Sequence, residues 1–572
     1  MIFTSQRPRV EIPSNIPIWE WLFDSEYSPL RKYKPDELGA FVNAMTKEQI
    51  RYDALKDLTT YVSTALVVDY GLKPGDTVAL FSPNTIWYPV AMLATVRAGG
   101  VISGASPAYN IEEMTYALKI ARASFLMTVS SSMDVAIPAA KNAGIPPDRI
   151  FLLEGTKGGY TSVQQLVQKG KRYGSSGQVV PYKIPADKTN KEVCGFLSFS
   201  SGTTGLPKAV MIAHHNVIAQ CIQIIQLTQE DTTKSLAVLP LFHITGLVHQ
   251  MHLPIIRNAT VYMLPSFTME SMLKTIVEYG ITEILSVPPI IIRLLQDPIV
   301  SKYDLSHVKR FSSGAAPISG EILQKLQERF PWTGFKQGYG MTESCSCITA
   351  HPPEKQSYEY AQRGGMIVAN TEMKVIHTET GRELGHDEEG EILARGPQIV
   401  MGYLGNEKAT RETFDEEGWL HTGDVGFMDR EGFVVITDRI KEMIKVKGIA
   451  VSPAEIEDLL LGHPGVEDAG VTSVPDDYAG EKPKAYIVLK AAFRGRLETD
   501  GGVLAMGREL IEYVKVKKVR HKWIIEVEFM NEIPKSASGK ILRRILRDRE
   551  NGSKGEEEKK KVVRDDKERA KL

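Results

Sequence analysis

Short apolar runs alternate with amphipathic stretches between Gly75 and about Ala350. The apolar runs have the length and composition of buried strands, and they fall at residues 77–81, 124–129, 193–199, 235–238, 260–264 and 283–287. Helical spacing of apolar positions lies between them, at residues 88–98, 269–279 and 318–330. Strands that alternate with helices in this way are typical of an α/β fold with largely parallel sheets.

The pattern changes twice further along the chain. From Met373 to Ile436 the strands are shorter and glycine turns separate them, which predicts a small β-rich subdomain. After Lys441, helices at 453–461 and 507–516 and strands at 466–474 and 483–489 predict a compact α+β piece. Because 572 residues exceed one compact core, we predict a large domain over 1–437, a connection at 438–441 and a small domain over 442–550. Residues 551–572 are nearly all charged or small and predict a disordered tail.

Composition excludes several classes of protein. The chain is 42% hydrophobic and 24% charged with a formal net charge of -1, which is ordinary for a soluble protein and argues against nucleic-acid binding. No apolar run reaches the length of a transmembrane segment, and no secretory signal is visible. The spacing of the four cysteines matches no zinc pattern and favours a reducing compartment; they are Cys194, Cys221, Cys345 and Cys347.

The run from Ser200 to Lys208 reads Ser-Ser-Gly-Thr-Thr-Gly-Leu-Pro-Lys and follows a predicted strand. Glycines let backbone N–H groups approach a phosphate, hydroxyls donate further hydrogen bonds, and Lys208 supplies charge. The run therefore favours a nucleotide triphosphate. It is neither a Walker A sequence nor G-x-G-x-x-G, and taken alone it could equally be a surface loop rich in Ser, Thr and Gly.

Four further blocks follow in order. They are Gln337-Gly338-Tyr339-Gly340-Met341-Thr342-Glu343, His421-Thr422-Gly423-Asp424, Asp438-Arg439-Ile440-Lys441 and Pro534-Lys535-Ser536-Ala537-Ser538-Gly539-Lys540. Together with the first run, these blocks resemble the signature motifs of the adenylate-forming superfamily, which includes acyl-CoA synthetases, adenylation domains of peptide synthetases and beetle luciferases. The resemblance spans about residue 60 to Arg544 and is strongest to 4-coumarate–CoA ligases and their fungal and peroxisomal relatives.

The resemblance implies an ATP-dependent acid–CoA ligase with ATP, Mg²⁺ and CoA as its cofactors. In the first step a carboxylate attacks the α-phosphate of ATP and pyrophosphate leaves, so the site needs cations and aligned donors. Lys540 would bridge the two reacting anions, Thr342 would contact the α-phosphate, and Glu343 and Thr204 would hold Mg²⁺. The residues implied in ATP and AMP binding are Ser200, Ser201, Gly202, Thr203, Thr204, Lys208, Gln337, Gly338, Tyr339, Thr342, Asp424, Arg439 and Lys540.

The resemblance also implies a second step in which the small domain turns about a hinge at 438–441. Lys445, Lys447 and Gly448 would then meet CoA, and His243 would orient the groups between the acyl pocket and the thiol tunnel. The implied acyl pocket comprises His243, Thr245, Gly246, Ala315, Gly338, Lys441 and Lys445. An aryl or phenylpropanoid acid and a medium-chain acid are equally compatible with these residues.

Several alternatives remain open at the level of sequence. A free-standing adenylation enzyme that loads a carrier protein and a luciferase-like oxygenase share the first half-reaction. A binding protein with a dead site is disfavoured, because all key polar residues are present. The last three residues, Ala570-Lys571-Leu572, are close to a peroxisomal address on a charged tail. They predict a peroxisomal import receptor as a partner and a peroxisomal location, with the cytoplasm as the alternative.

Overall fold

The computed structural model describes residues 1–200, 207–314, 316, 318–447, 449–476, 479–535, 539–551 and 561–565. Within them, helices and strands follow one another in the order that the hydrophobic pattern predicts, and the mixed α/β fold is confirmed. The α-helices are Ile18–Phe23, Tyr52–Tyr70, Trp87–Arg97, Ile111–Ile120, Met133–Ala143, Val163–Lys171, His214–Ile225, Leu253–Ile256, Met269–Tyr279, Pro288–Gln296, Gly320–Arg329, Glu407–Thr413, Pro453–Leu461, Ala491–Arg494, Asp500–Lys517 and Arg543–Asn551.

An eight-stranded sheet carries the first predicted strands. Its order is Gly402–Tyr403, Lys208–Ala213, Cys194–Ser200, Val101–Ala105, Thr77–Phe81, Ala123–Val129, Ile150–Glu154 and Thr161–Ser162. The six strands from Cys194–Ser200 to Thr161–Ser162 in this order all pair in parallel. On its other side Cys194–Ser200 pairs in an antiparallel manner with Lys208–Ala213. Ser200 ends one of these antiparallel strands and Lys208 begins the other, and the two residues lie opposite each other.

The large domain contains two further sheets. One has the order Lys234–Ala237, Thr260–Met263, Ala40–Asn43 and Gln49–Arg51, and the other Glu283–Ser286, Arg310–Ser313, Gly334–Met341, Ser346–Ala350 and Met366–Ile367. Apolar side chains from both and from the helices around them form one buried cluster that includes Ile284, Phe311 and Phe335. The opposite face of the second sheet is left to line a cavity.

The predicted β-rich subdomain is an antiparallel five-stranded sheet. Its order is Ile2–Thr4, Glu372–Ile376, Gly390–Arg395, Leu420–Met428 and Val434–Arg439. The first strand comes from the start of the chain, and Ile2 lies opposite Lys374. Since this pairing joins segments about 370 residues apart, no local pattern could have predicted it.

The small C-terminal domain is built on a sheet with the order Ile449–Val451, Ile444–Val446, Gly480–Leu489, Glu526–Phe529 and Val562–Arg564, and Val466–Asp476 also pairs with Gly480–Leu489. The chain enters it directly from the large domain: Arg439 ends a strand, and its carbonyl accepts hydrogen bonds from Glu442 and Met443 N–H. Arg543, at the start of the last helix, pairs with Glu442 and Glu457 at 2.5 and 2.7 Å. These ion pairs tie that helix to the segment beside the connection. No helix in the described part of the chain is both long and apolar enough to span a bilayer.

Candidate active site

A cavity of about 790 Å³ lies between the large and small domains. Residues of both domains line it, so the site exists only where the domains meet. Among the residues implied by the sequence, the cavity walls include Ser200, Lys208, His243, Thr245, Gly338, Thr342, Glu343, Arg439, Lys441 and Lys540.

Lys208, Glu343 and Tyr403 form one end of the cavity. The Tyr403 hydroxyl donates a 2.8 Å hydrogen bond to Glu343 Oε1, and the Lys208 ammonium lies 4.6 Å from the centre of the Tyr403 ring. Tyr403 reaches this position because Gly402–Tyr403 pairs with the strand Lys208–Ala213. A cation and a carboxylate at fixed positions beside one aromatic ring suit a phosphate chain and its metal ion.

The turn that carries Glu343 depends on the glycine that precedes it, Gly340. The strand Gly334–Met341 ends in a single 3-10 turn, after which Cys345 and Ser346 have φ of 48° and 105°. A Cβ on Gly340 would lie 1.7 Å from the Ser346 carbonyl oxygen, so the two segments can approach only without a side chain there. The turn buries Thr342 and Glu343 and aims them at the cavity.

Asp424 lies behind the wall formed by Thr422 and Gly423 and is only 3% exposed. Its Oδ2 accepts a 2.9 Å hydrogen bond from the Tyr339 hydroxyl, and its Oδ1 lies 2.9 Å from Arg439 Nε. Burial raises the pKa of Asp424, while the Arg439 charge opposes that rise. A carboxylate fixed in this way has lone pairs left to accept from a vicinal diol such as ribose.

Lys540 reaches the cavity from the small domain. Burial, and then the positive charge of Arg439, lower its pKa to about 8, while Glu442 and Asp424 act in the opposite sense. The ammonium therefore lies among charges contributed by both domains. A lysine with a depressed pKa in a cleft is typical of a residue that handles developing negative charge.

His243 lies against the cavity, and its ring is held in one tautomer. Thr245 N–H donates to His243 Nδ1 at 3.4 Å, so the proton of the neutral ring is on Nε2. Burial lowers the pKa of His243, which favours that neutral form. The ring can thus donate one hydrogen bond from Nε2.

Other residues implied by the sequence do not line this cavity. Gly246 packs behind Thr245, where a Cβ would lie 2.2 Å from the Pro240 carbonyl oxygen, and the amide of Gln337 donates to the carbonyl oxygens of Ala361 and Arg363. Lys445, in the strand Ile444–Val446, and Lys447, just after it, are not among the residues that line the cavity. Ser201, Gly202, Thr203, Thr204, Ala315, Gly448 and the tripeptide Ala570-Lys571-Leu572 lie outside the described residues.

Glu343 is also the residue that would bind the magnesium ion implied by the family resemblance, and its surroundings show whether it fits that role. The described residues hold no group of three or more His, Cys, Asp or Glu side chains that could enclose a metal. Mg²⁺ usually keeps several waters and binds through one or two carboxylates together with substrate phosphates. Glu343, a carboxylate of the cavity wall that the Tyr403 hydroxyl orients, fits that mode.

The cavity contains functional candidates that the sequence did not single out. Tyr403 is one, and its short strand gave no signal of a partner about 190 residues away. His249 and Lys336 are two more, and both line the inner part of the cavity. Nothing in the sequence separates Lys336 from an exposed charge beside the Gln-Gly-Tyr-Gly block, and His249 falls in a π-helix, Gly246–His252, which has no distinct sequence period.

A large α/β domain, a small C-terminal domain and a shared cavity with cations from both fit an enzyme that activates carboxylates with a nucleotide. The model of the AMP-binding enzyme family matches residues 32–404, and that of the AMP-binding enzyme C-terminal domain matches residues 455–540. The chain therefore belongs to the AMP-binding enzyme family, the adenylate-forming enzymes, as its motifs predicted.

Its relatives narrow the class further. It is 33% identical over 559 residues to 4-coumarate–CoA ligase 1 of Petroselinum crispum and 34% identical over 558 residues to 4-coumarate–CoA ligase-like 1 of Arabidopsis thaliana, with 96% of this chain and 97% of each relative covered. The solved o-succinylbenzoate CoA synthetase of Bacillus subtilis, in complex with its acyl-adenylate intermediate, matches with a TM-score of 0.74 at 25% identity, covering 95% of this chain and 99% of that one. The chain is thus an enzyme of the ATP-dependent, AMP-forming acid–CoA ligase type.

Proposed function

We propose that this enzyme joins an elongated aryl, phenylpropanoid or medium-chain acid to CoA in two half-reactions at one site. The observation that carries the proposal is that Lys540 of the small domain lines the same cavity as Lys208 and Glu343 of the large domain. Cations from two domains thereby converge where two anions must meet, which is the requirement of adenylation. This arrangement supports the first half-reaction.

In that half-reaction a carboxylate oxygen of the acid bonds to the α-phosphorus of ATP, and the bond to the β-phosphate bridging oxygen breaks. The Lys540 ammonium offsets the charge shared by the carboxylate and the α-phosphate, and Lys208 does the same for the departing pyrophosphate. Bound beside Glu343, Mg²⁺ would neutralise phosphate charge. Asp424 would hold the ribose.

In the second half-reaction the CoA thiolate attacks the acyl carbonyl, the thioester bond forms, and AMP leaves. Lys540 would have to withdraw and the segment around Lys447 and Gly448 to approach, by rotation about 438–441. Support comes from the short connection, which crosses between domains within a few residues after Arg439. His243, with its proton on Nε2, would orient the acyl carbonyl or the incoming thiol.

The test measures pyrophosphate release with ATP and Mg²⁺ across aromatic, fatty and amino acids, with and without CoA, and identifies products by mass. Thioester formed from one class of acid supports the proposal. Pyrophosphate without thioester from any acid would refute CoA as the acceptor and favour a carrier protein, while light emission with oxygen would favour an oxygenase.

The same assay separates the half-reactions. Lys540→Ala should abolish adenylate formation and leave thioester formation from a supplied acyl-adenylate largely intact, and Lys447→Glu should do the reverse. If both variants lose both half-reactions together, the rotation about 438–441 is wrong.

We also propose that the enzyme is imported into peroxisomes through Ala570-Lys571-Leu572. Its support is the tripeptide itself, at the end of a charged segment. Deletion of these three residues should move a tagged protein to the cytoplasm and leave its activity unchanged, and an unchanged location would refute the proposal.

A further inference from the structure

The floor of the acyl end of the cavity is one face of a parallel sheet. Ser312 lies opposite both Leu285 and Lys336 in the register of the three strands Glu283–Ser286, Arg310–Ser313 and Gly334–Met341. Side chains two residues apart on a strand share a face, so Gly314 and Gly338 belong to the same face as Ser312 and Lys336. All of these residues line the cavity.

This floor changes character along its length. The end towards Thr342, where the carboxylate reacts, carries glycines at 314 and 338, which have no side chains to fill the cavity and leave room for a flat or narrow body. Lys336 lies four residues before Gly340 in the same strand, which corresponds to about 13 Å at the usual rise of a strand. An acid that extends from the reaction centre along this floor therefore ends at a lysine.

The far end is cationic. Lys336 donates one hydrogen bond to the Leu227 carbonyl oxygen at 2.9 Å and has two N–H groups left. Glu283, the nearby carboxylate, is already held by Arg310 Nε at 3.2 Å and by the Ser312 hydroxyl at 2.6 Å. Within the described residues no carboxylate lies within 4.0 Å of the Lys336 ammonium, and Arg257, on which the charge of the same Glu283 acts, is another cation that lines the cavity.

The opposite wall adds a neutral histidine. The π-helix Gly246–His252 presents His249 to the cavity, and His249 Nε2 lies 2.9 Å from the Ser346 hydroxyl. Burial, and then the charge of Lys336, lower the pKa of His249 to about 4, against a smaller opposing effect of Glu283. His249 Nδ1 has no hydrogen-bond partner among the described residues and can serve a ligand.

Both His249 Nδ1 and the Lys336 ammonium therefore have hydrogen-bonding capacity that the protein does not use. A buried polar group without a partner is costly unless water or a ligand completes it. A purely apolar acid would leave both groups unsatisfied.

We propose that the acid bound here carries an oxygen function at its far end, a hydroxyl or a second carboxylate, and that Lys336 and His249 bind it. This inference rests on the proposed function, since it names the class of acid that the same site activates. Lys336 supplies the charge, His249 supplies one further hydrogen bond, and the glycine floor accepts the apolar body between the two ends.

The experiment compares acids in matched pairs: octanoic with octanedioic and 8-hydroxyoctanoic acid, and cinnamic with 4-hydroxycinnamic acid. For the wild-type enzyme we expect kcat/KM for thioester formation to be at least about tenfold higher for an oxygen-bearing member, because a polar pocket rejects the analogue that leaves it unpaired. The carboxylate and hydroxyl arms identify which oxygen is preferred. Equal or better use of the unsubstituted acids would overturn the proposal.

The variants Lys336→Met and His249→Leu test the residues. Lys336→Met should lose about tenfold or more on the preferred oxygen-bearing acid and keep or gain activity on its unsubstituted partner. Lys309→Met is the matched control, because Lys309 is exposed at the start of the neighbouring strand, pairs with Asp231 and does not line the cavity. Equal losses on both members of a pair would show a merely structural role for Lys336.

Failure of this inference differs from failure of the proposed function. If no acid yields thioester, the ligase proposal falls. If thioesters form without selectivity for the far oxygen, only the present inference falls. Should Lys336→Met not fold, as judged from thermal unfolding, the wild-type ratios and His249→Leu decide alone.

Discussion

The pH dependence of adenylation tests the placement of Lys540 most directly. Only the ammonium form can offset the carboxylate and the α-phosphate, and its pKa is lowered to about 8 by burial and by Arg439. At pH 9 about one enzyme in ten would still carry that proton, and each further pH unit would remove about another factor of ten. The rate of the first half-reaction should therefore fall in a range where an ordinary lysine would be fully charged.

The assay is acid-dependent pyrophosphate release from pH 6 to 10, analysed as kcat/KM because that ratio reports groups of the free enzyme. We expect a level region that ends near pH 8 and then a fall of about tenfold per pH unit. Lys540→Arg is the control, since a guanidinium stays protonated throughout this range. Its reduced activity should lack the falling limb, and thioester formation from a supplied acyl-adenylate should not fall above pH 8.

Two results would refute the reasoning. A wild-type profile that stays level to pH 10 would mean that Lys540 is not the group whose proton is required. The same falling limb in Lys540→Arg would assign the titration to another group of the site, such as Asp424, whose pKa is raised by burial.

Three further predictions concern the cavity walls and the core. Tyr403→Phe removes the 2.8 Å hydrogen bond to Glu343 but keeps the ring beside Lys208; KM for ATP at limiting Mg²⁺ should rise about tenfold, and an unchanged KM would contradict the role given to Tyr403. Gly340→Ala places a Cβ 1.7 Å from a backbone oxygen; the melting temperature and adenylation should both fall, and a variant as stable as wild type would contradict the close approach. Burial lowers the pKa of five histidines to about 4, so the unfolded chain, with a histidine pKa near 6.5, binds protons that the folded chain does not. Their contribution to stability is complete above pH 6.5 and should be lost at about 1.4 kcal/mol per pH unit for each histidine as the pH falls toward 4; a melting temperature that stays constant from pH 6.5 to 4.5 would contradict this, and the residues are His214, His215, His249, His252 and His351.

Elements with a complete local signal could be predicted from the sequence. The helices Met269–Tyr279 and Pro453–Leu461 have the predicted bounds, because each combines an amphipathic period with a capping residue. Thr268 accepts from Ser271 N–H and Ser452 from Glu455 N–H. The helix predicted at 507–516 begins earlier, at Asp500, since Thr499 caps it and the glycines that follow gave no helical signal.

Contacts between distant segments could not be predicted. The run from Ser200 to Lys208 could be recognised as a motif, but Tyr403, whose hydroxyl donates to Glu343, comes from a two-residue strand that pairs with the distant strand Lys208–Ala213. The cationic far end of the cavity combines strands and a loop that are separate in sequence, so Lys336 could not be distinguished from a solvated charge. The motifs therefore predicted the class of enzyme, while the set of residues that line the cavity could be known only from the fold.

The pairing of Ile2–Thr4 with Glu372–Ile376 means that the first strand must wait during translation until its partner has been synthesised. A ribosome adding about 5–20 residues per second needs some tens of seconds to deliver the partner strand. During that time the first strand has an open edge and Phe3, buried in the finished sheet, has no core to enter. Chaperones that bind nascent chains should therefore hold this segment longest, and slow translation should increase aggregation more than it does for proteins whose early strands pair locally.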